Sequence, residues 1–84
     1  MKKFLVFIER KSDFSGTSIP DHRSYLQELR EGGSLVSAGG FPDQTGGAYV
    51  LQAETLEEAA AIVHQDPMYL EGQCLYQIKE WNVQ

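Results

Sequence analysis

His22, Asp66, His64 and Cys74 are the side chains of this 84-residue sequence that stand out as able to carry a proton, hold a metal or act as a nucleophile. An imidazole and a carboxylate together make an acid–base pair. The carboxylate holds one ring nitrogen and fixes the tautomer, while the other nitrogen exchanges a proton with a substrate. His22 and Asp66 are the candidates for that pair. His22 shares a stripe with Leu26 and Leu29 yet falls in a first helical turn, near solvent. There the helix N-terminus disfavours imidazolium and a nearby carboxylate favours it, a balance suited to proton exchange near neutral pH. The same two residues have a plainer reading, a half-buried histidine that anchors a helix to an Asp-Pro turn. His64, two residues from Asp66, points to a different helix face, so with His22 these make a poor ligand set and no metal is expected. Cys74, the one cysteine, reads as a small buried hydrophobe rather than a nucleophile. Phe41 and Tyr69 are candidate pocket walls. Gly39-Gly40 either lets a ligand approach the backbone or simply ends a strand. No GxGxxG or Walker pattern is present, so no nucleotide is indicated.

The elements that must position these residues follow from periodicity and punctuation. Phe4 to Ile8 is a continuous apolar run, a strand covered on both faces. Residues 10–19 form a polar loop, and Pro20 opens a helix that Gly32-Gly33 ends. Ser34 to Phe41 and Gly47 to Ala53 read as two further strands. Thr55 and Glu58 make a capping box for a second helix with Leu56, Ala59, Ala60 and Val63 inward, which stops before Asp66-Pro67. A short turn through Gly72 leads to a last strand, Cys74 to Asn82. The order βαββαβ is that of a ferredoxin-like α+β fold: a four-stranded antiparallel sheet with two helices on one face. Chain direction then brings His22, Asp66, His64, Tyr69, Cys74, Ser37, Phe41 and the 10–19 loop to one end of the sheet.

Residues 1–84 suffice for one domain. With a single cysteine no disulfide can staple it, which suits a reducing compartment. Strand 1 is apolar at both parities, and two helices cover one face only, so the uncovered face calls for a second copy of the chain. A formal net charge of −5, with scattered cations, offers no basic face for nucleic acid. The apolar run at the start is too short for a signal peptide, and nothing approaches a membrane span. The sequence reads as soluble and cytoplasmic.

Asp21-His22, Leu26, Leu29, Gly33-Ser34-Leu35, Ser37-Ala38-Gly39-Gly40, Gly47, Leu56-Glu57-Glu58-Ala59 and Asp66-Pro67-Met68-Tyr69 before Gly72 resemble, in order and spacing, the YCII-related domain family. The match covers nearly the whole chain. The resemblance implies a dimeric α+β barrel, a homodimer with its sheets packed face to face, and an active-site pair that maps onto His22 and Asp66. That family includes a dehydrochlorinase of a chlorinated hydroquinone, and the wider superfamily includes isomerases and cofactor-free oxygenases of small ring compounds. Where the family often has Ala-Gly-Pro, this chain has Ala38-Gly39-Gly40, so pocket shape and substrate do not transfer. The expectation is a cofactor-free lyase (dehydrochlorinase) or isomerase acting on a small organic molecule, aromatic or enolisable. The competing expectation is a non-catalytic homodimer that binds a small ligand or a partner domain.

Overall fold

Phe4, Val6 and Ile8 are buried while Leu5 and Phe7, one step out of phase, are half covered, and this alternation orients the whole sheet. They lie on β1 (Lys2–Arg10) of a computed structural model that describes residues 1–84. The remaining elements are α1 (Ile19–Glu31), β2 (Leu35–Gly40), β3 (Gly46–Ala53), α2 (Leu56–Val63), α3 (Pro67–Glu71) and β4 (Cys74–Glu80). The four strands form one sheet in the order β2-β3-β1-β4, every neighbouring pair antiparallel. This is the α+β ferredoxin-like arrangement read from the sequence.

The register sets the two faces. Val6 lies between Tyr49 and Ile78, and Ile8 between Gly47 and Tyr76, on the helix-covered side. Leu5 faces Val50, and Phe7 faces Ala48, on the open side. Under the helices one cluster joins Phe4, Val6, Ile8, Leu35, Tyr49, Leu51, Ala53, Ala59, Val63, Met68 and Cys74. Full burial of side chains such as Phe4, Leu51 and Val63 stabilises by about 1.5–3 kcal/mol each before entropy is charged against it.

Four local details differ from the sequence reading. The turn after Asp66 is a short helix, α3, started by Pro67 and the Asp66 cap and stopped by Gly72, whose φ of +79° an L side chain adopts poorly. Its five residues are too few for a periodic signal. Leu56 is 51% exposed rather than inward, because it is the first residue of α2 with no turn preceding it to extend the apolar stripe. The capping box is half made: Thr55 Oγ1 accepts from the Glu58 N–H at 3.1 Å. β4 ends at Glu80, although the Trp81 N–H still donates to the Lys3 carbonyl at 2.9 Å. No helix is long and apolar enough to cross a membrane.

Candidate acid–base site

Asp66 begins as turn chemistry. It precedes Pro67 with extended backbone, and its Oδ1 accepts from the Met68 N–H at 3.0 Å, capping α3. This places the carboxylate in the helix layer, fully buried, over the β4 side of the sheet. A buried carboxylate needs further donors. Oδ2 receives the Tyr76 hydroxyl from β4 at 3.2 Å and meets His22 Nδ1 from the first turn of α1 at 2.7 Å. An ionised carboxylate can only accept, so the proton is assigned to Nδ1 and the neutral ring carries its lone pair on Nε2. Nε2 finds no partner within the chain. Turn residue and pair member, the two readings of Asp66, are therefore the two oxygens of one side chain.

His22 lines a cavity of about 290 Å³ between α1 and the β2–β3–β1 surface. Ile8, Ile19, Leu26 and Met68 form its apolar wall, Gly39, Gly40, Gly46 and Gly47 a wall of bare backbone, and Arg10 and Arg23 complete it. Gly46 cannot be replaced cheaply, since a Cβ there would stand 1.9 Å from the Ile8 carbonyl oxygen. Tyr49 also lines the cavity, its ring centroid 6.4 Å from that of His22. Its hydroxyl is buried and has no hydrogen-bond partner. Burial first, and the Asp66 charge second, push the Tyr49 and Tyr76 phenols well above the ordinary tyrosine range, so both remain protonated donors. Tyr25 is shifted the same way, and its hydroxyl donates to the Ile62 carbonyl at 2.6 Å, tying α1 to α2.

The structure brings His22, Gly39 and Gly40 to the cavity lining, keeps Asp66 buried behind His22, and leaves other candidates outside. Phe41 turns to the open face, 5.4 Å from Phe7, and lines a separate hollow there with Leu5, Val50 and Trp81. Tyr69 stacks on His64 at 4.6 Å and meets the edge of Tyr76 at 5.2 Å, one ring away from Asp66. His64 is exposed and joined to Tyr69 rather than to Asp66. Cys74 is buried in the core cluster, and burial raises its thiol pKa. Sequence reasoning missed Tyr76, Tyr49 and Arg10, identifiable only once strand register is known, and Arg23, which follows His22 on α1. It also missed Glu71 and Gln73. Glu71 accepts from Thr17 and Ser18, and Gln73 accepts from Ser15, so the 11–18 loop is fastened beside α3.

Three likenesses to known proteins accord with this architecture. A family model, the YCII-related domain, matches residues 3–82. The uncharacterized protein YjpA of Bacillus subtilis (strain 168) is 39% identical over 83 residues, 99% of this chain and 98% of that protein. A solved structure of 5-chloro-2-hydroxyhydroquinone dehydrochlorinase (TftG) from Burkholderia phenoliruptrix AC1100, in complex with 2,5-dihydroxybenzoquinone, superposes with a TM-score of 0.74. That alignment covers 98% of this chain and 95% of the other at 19% identity, a likeness of fold.

Proposed function

The chain belongs to the YCII-related domain family, and from that premise we propose that it is a cofactor-free acid–base enzyme of lyase or isomerase type, acting on a small organic molecule. The observation that carries this reading is the 2.7 Å His22–Asp66 contact, which leaves Nε2 unpartnered on a ring that lines the cavity. Nε2 takes a proton from an acidic C–H or O–H of the substrate. Asp66 stabilises the imidazolium so formed, as a buried partner of a catalytic histidine does. The electron pair left on the substrate either moves into an adjacent carbonyl or expels a leaving group such as chloride. In an isomerisation the same proton returns to another carbon. The TftG dehydrochlorinase supplies a precedent on this fold for the elimination branch.

We further propose that the working unit is a homodimer joined through the open sheet face, where Leu5, Phe7, Phe41, Val50 and Trp81 gather. A second functional reading has its own support: Asp66 joins α1, α3 and β4 through three donors, which also suits a purely structural anchor in a ligand-binding dimer. Proton exchange separates the two. A pool of enolisable and halogenated ring compounds is incubated with the protein in D2O and read by NMR and mass spectrometry. The enzyme reading expects deuterium uptake or halide release that His22→Asn abolishes. Catalysis by neither protein, or equally by both, would leave the anchor reading in place.

A further inference from the structure

We propose that the His22 cavity selects a single-ring organic anion, a carboxylate or phenolate, whose charge is received by Arg10 and Arg23. The inference deepens the acid–base reading and rests on the same cavity. Of the residues lining it, two are arginines and none is aspartate or glutamate, in a chain with 12 acidic and 7 basic residues. A net charge of −5 repels anions at long range, so an all-cationic cavity is a local reversal of the molecule's field.

Neither arginine is neutralised. The ion pairs within 4.0 Å are Lys2–Glu80 and His22–Asp66, and neither the adjacent Glu9 nor Asp21 engages Arg10 or Arg23. Arg10 is instead held by neutral groups. Its guanidinium donates to the Gln44 carbonyl at 3.0 Å and lies 4.4 Å from the centroid of the Phe14 ring. That arrangement orients the guanidinium and leaves its charge unspent. Arg23 follows His22 directly in α1 and is exposed, with no hydrogen bond to the chain. A planar guanidinium grips a carboxylate through two parallel N–H donors and a phenolate through one or two.

The remaining walls suit the rest of such a molecule. Ligand pockets for drug-sized molecules run from about 300 Å³ upward, so a cavity of about 290 Å³ matches one substituted ring. Ile8, Ile19, Leu26 and Met68 supply the apolar contact for that ring. The Asp66 charge behind His22 is felt at the cavity wall, where burial and then this charge raise the Tyr49 phenol, and the two arginines outnumber it.

The test uses matched pairs on the intact protein: benzoate against benzamide, and 4-nitrophenolate against 4-nitroanisole. Binding is followed by the amide resonances of Gly39, Gly40 and Gly46 and by the arginine Nε–H signals. At low salt at least one anion should bind about ten-fold more tightly than its neutral partner, and the ratio should shrink in high salt. The pair with the larger ratio tells carboxylate from phenolate. The ratio should fall toward one in the Arg10→Gln/Arg23→Gln double variant. If that variant fails to fold, Arg23→Gln alone, which breaks no hydrogen bond, must lower the ratio. Equal affinity within both pairs, no binding by either anion, or a preference that survives loss of the arginines would overturn the proposal. So would a preference that vanishes only in His22→Asn. Deuterium exchange scores the acid–base reading separately, so the two can fail independently.

Discussion

A carboxylate that accepts from Met68, Tyr76 and His22 at once invites replacement by its amide. Asp66→Asn keeps the shape but puts an N–H where His22 Nδ1–H must donate. The ring responds by accepting at Nδ1 and carrying its proton on Nε2, which removes the proposed base from the cavity. The expected result is a tautomer switch in the imidazole 15N shifts and a loss of turnover of about 10²–10⁴-fold. An unchanged tautomer would mean that Asp66 does not govern the ring. Burial provides a second test at the same scale. Tyr25, Tyr49 and Tyr76 hold their protons above the ordinary value of 10.0, whereas the unfolded chain releases them near that value. Above pH ~10 the native state therefore binds more protons than the unfolded one, so stability is full below that pH and falls as pH rises past it. Urea midpoints measured across this range should decline together with the appearance of tyrosinate absorbance. Removing the one orphaned hydroxyl, in Tyr49→Phe, should leave the melting temperature unchanged or higher, since an unpartnered buried polar group costs about 1–3 kcal/mol.

Elements divide into those that announce themselves and those that depend on neighbours. β1, β3, α1 and α2 were legible because apolar period, prolines and caps repeat over enough residues to be read. That His22 and Asp66 reach the same end of the sheet was legible too, from chain direction; their pairing was an expectation that the family resemblance also supplied. α3 was not, being five residues between a proline and a glycine. Arg10, Tyr49 and Tyr76 were hidden because a strand side chain takes its meaning from parity, and parity needs the register. Phe41 and Tyr69 reach the expected end of the sheet and then turn away, Phe41 to Phe7 and Tyr69 to His64, a matter of side-chain direction that spacing does not encode. The 11–18 loop owes its position to α3 through Glu71. Glu71→Ala should therefore quicken amide exchange across residues 12–18 and leave the β1–β3 amides protected, with a stability change of ~1 kcal/mol or less because the bonds are largely exposed. Uniform exchange before and after would show that the loop holds itself.

For the whole molecule, the sheet has one face under helices and one without cover, and the parity of β1 says which residue probes the second. Phe4 substitutions strike the core, whereas Phe7 belongs to the open face. Phe7→Glu should convert a dimer of the 9.4 kDa chain to monomer in sedimentation without unfolding it. A parent protein that is already monomeric at micromolar concentration would remove the dimer proposal. Asp66 has one more effect at this scale. Because the same carboxylate fastens α1, α3 and β4, loss of Asp66 would remove the proposed proton relay and loosen three elements together. In a cell, a destabilisation of about 1–2 kcal/mol is enough to change abundance several-fold through chaperone and protease triage. Under the proposed enzyme and dimer readings, copies damaged at Asp66 would be cleared instead of accumulating as inert partners. Steady-state levels of Asp66→Asn below those of His22→Asn, in the same host, would show quality control reading the integrity of the site.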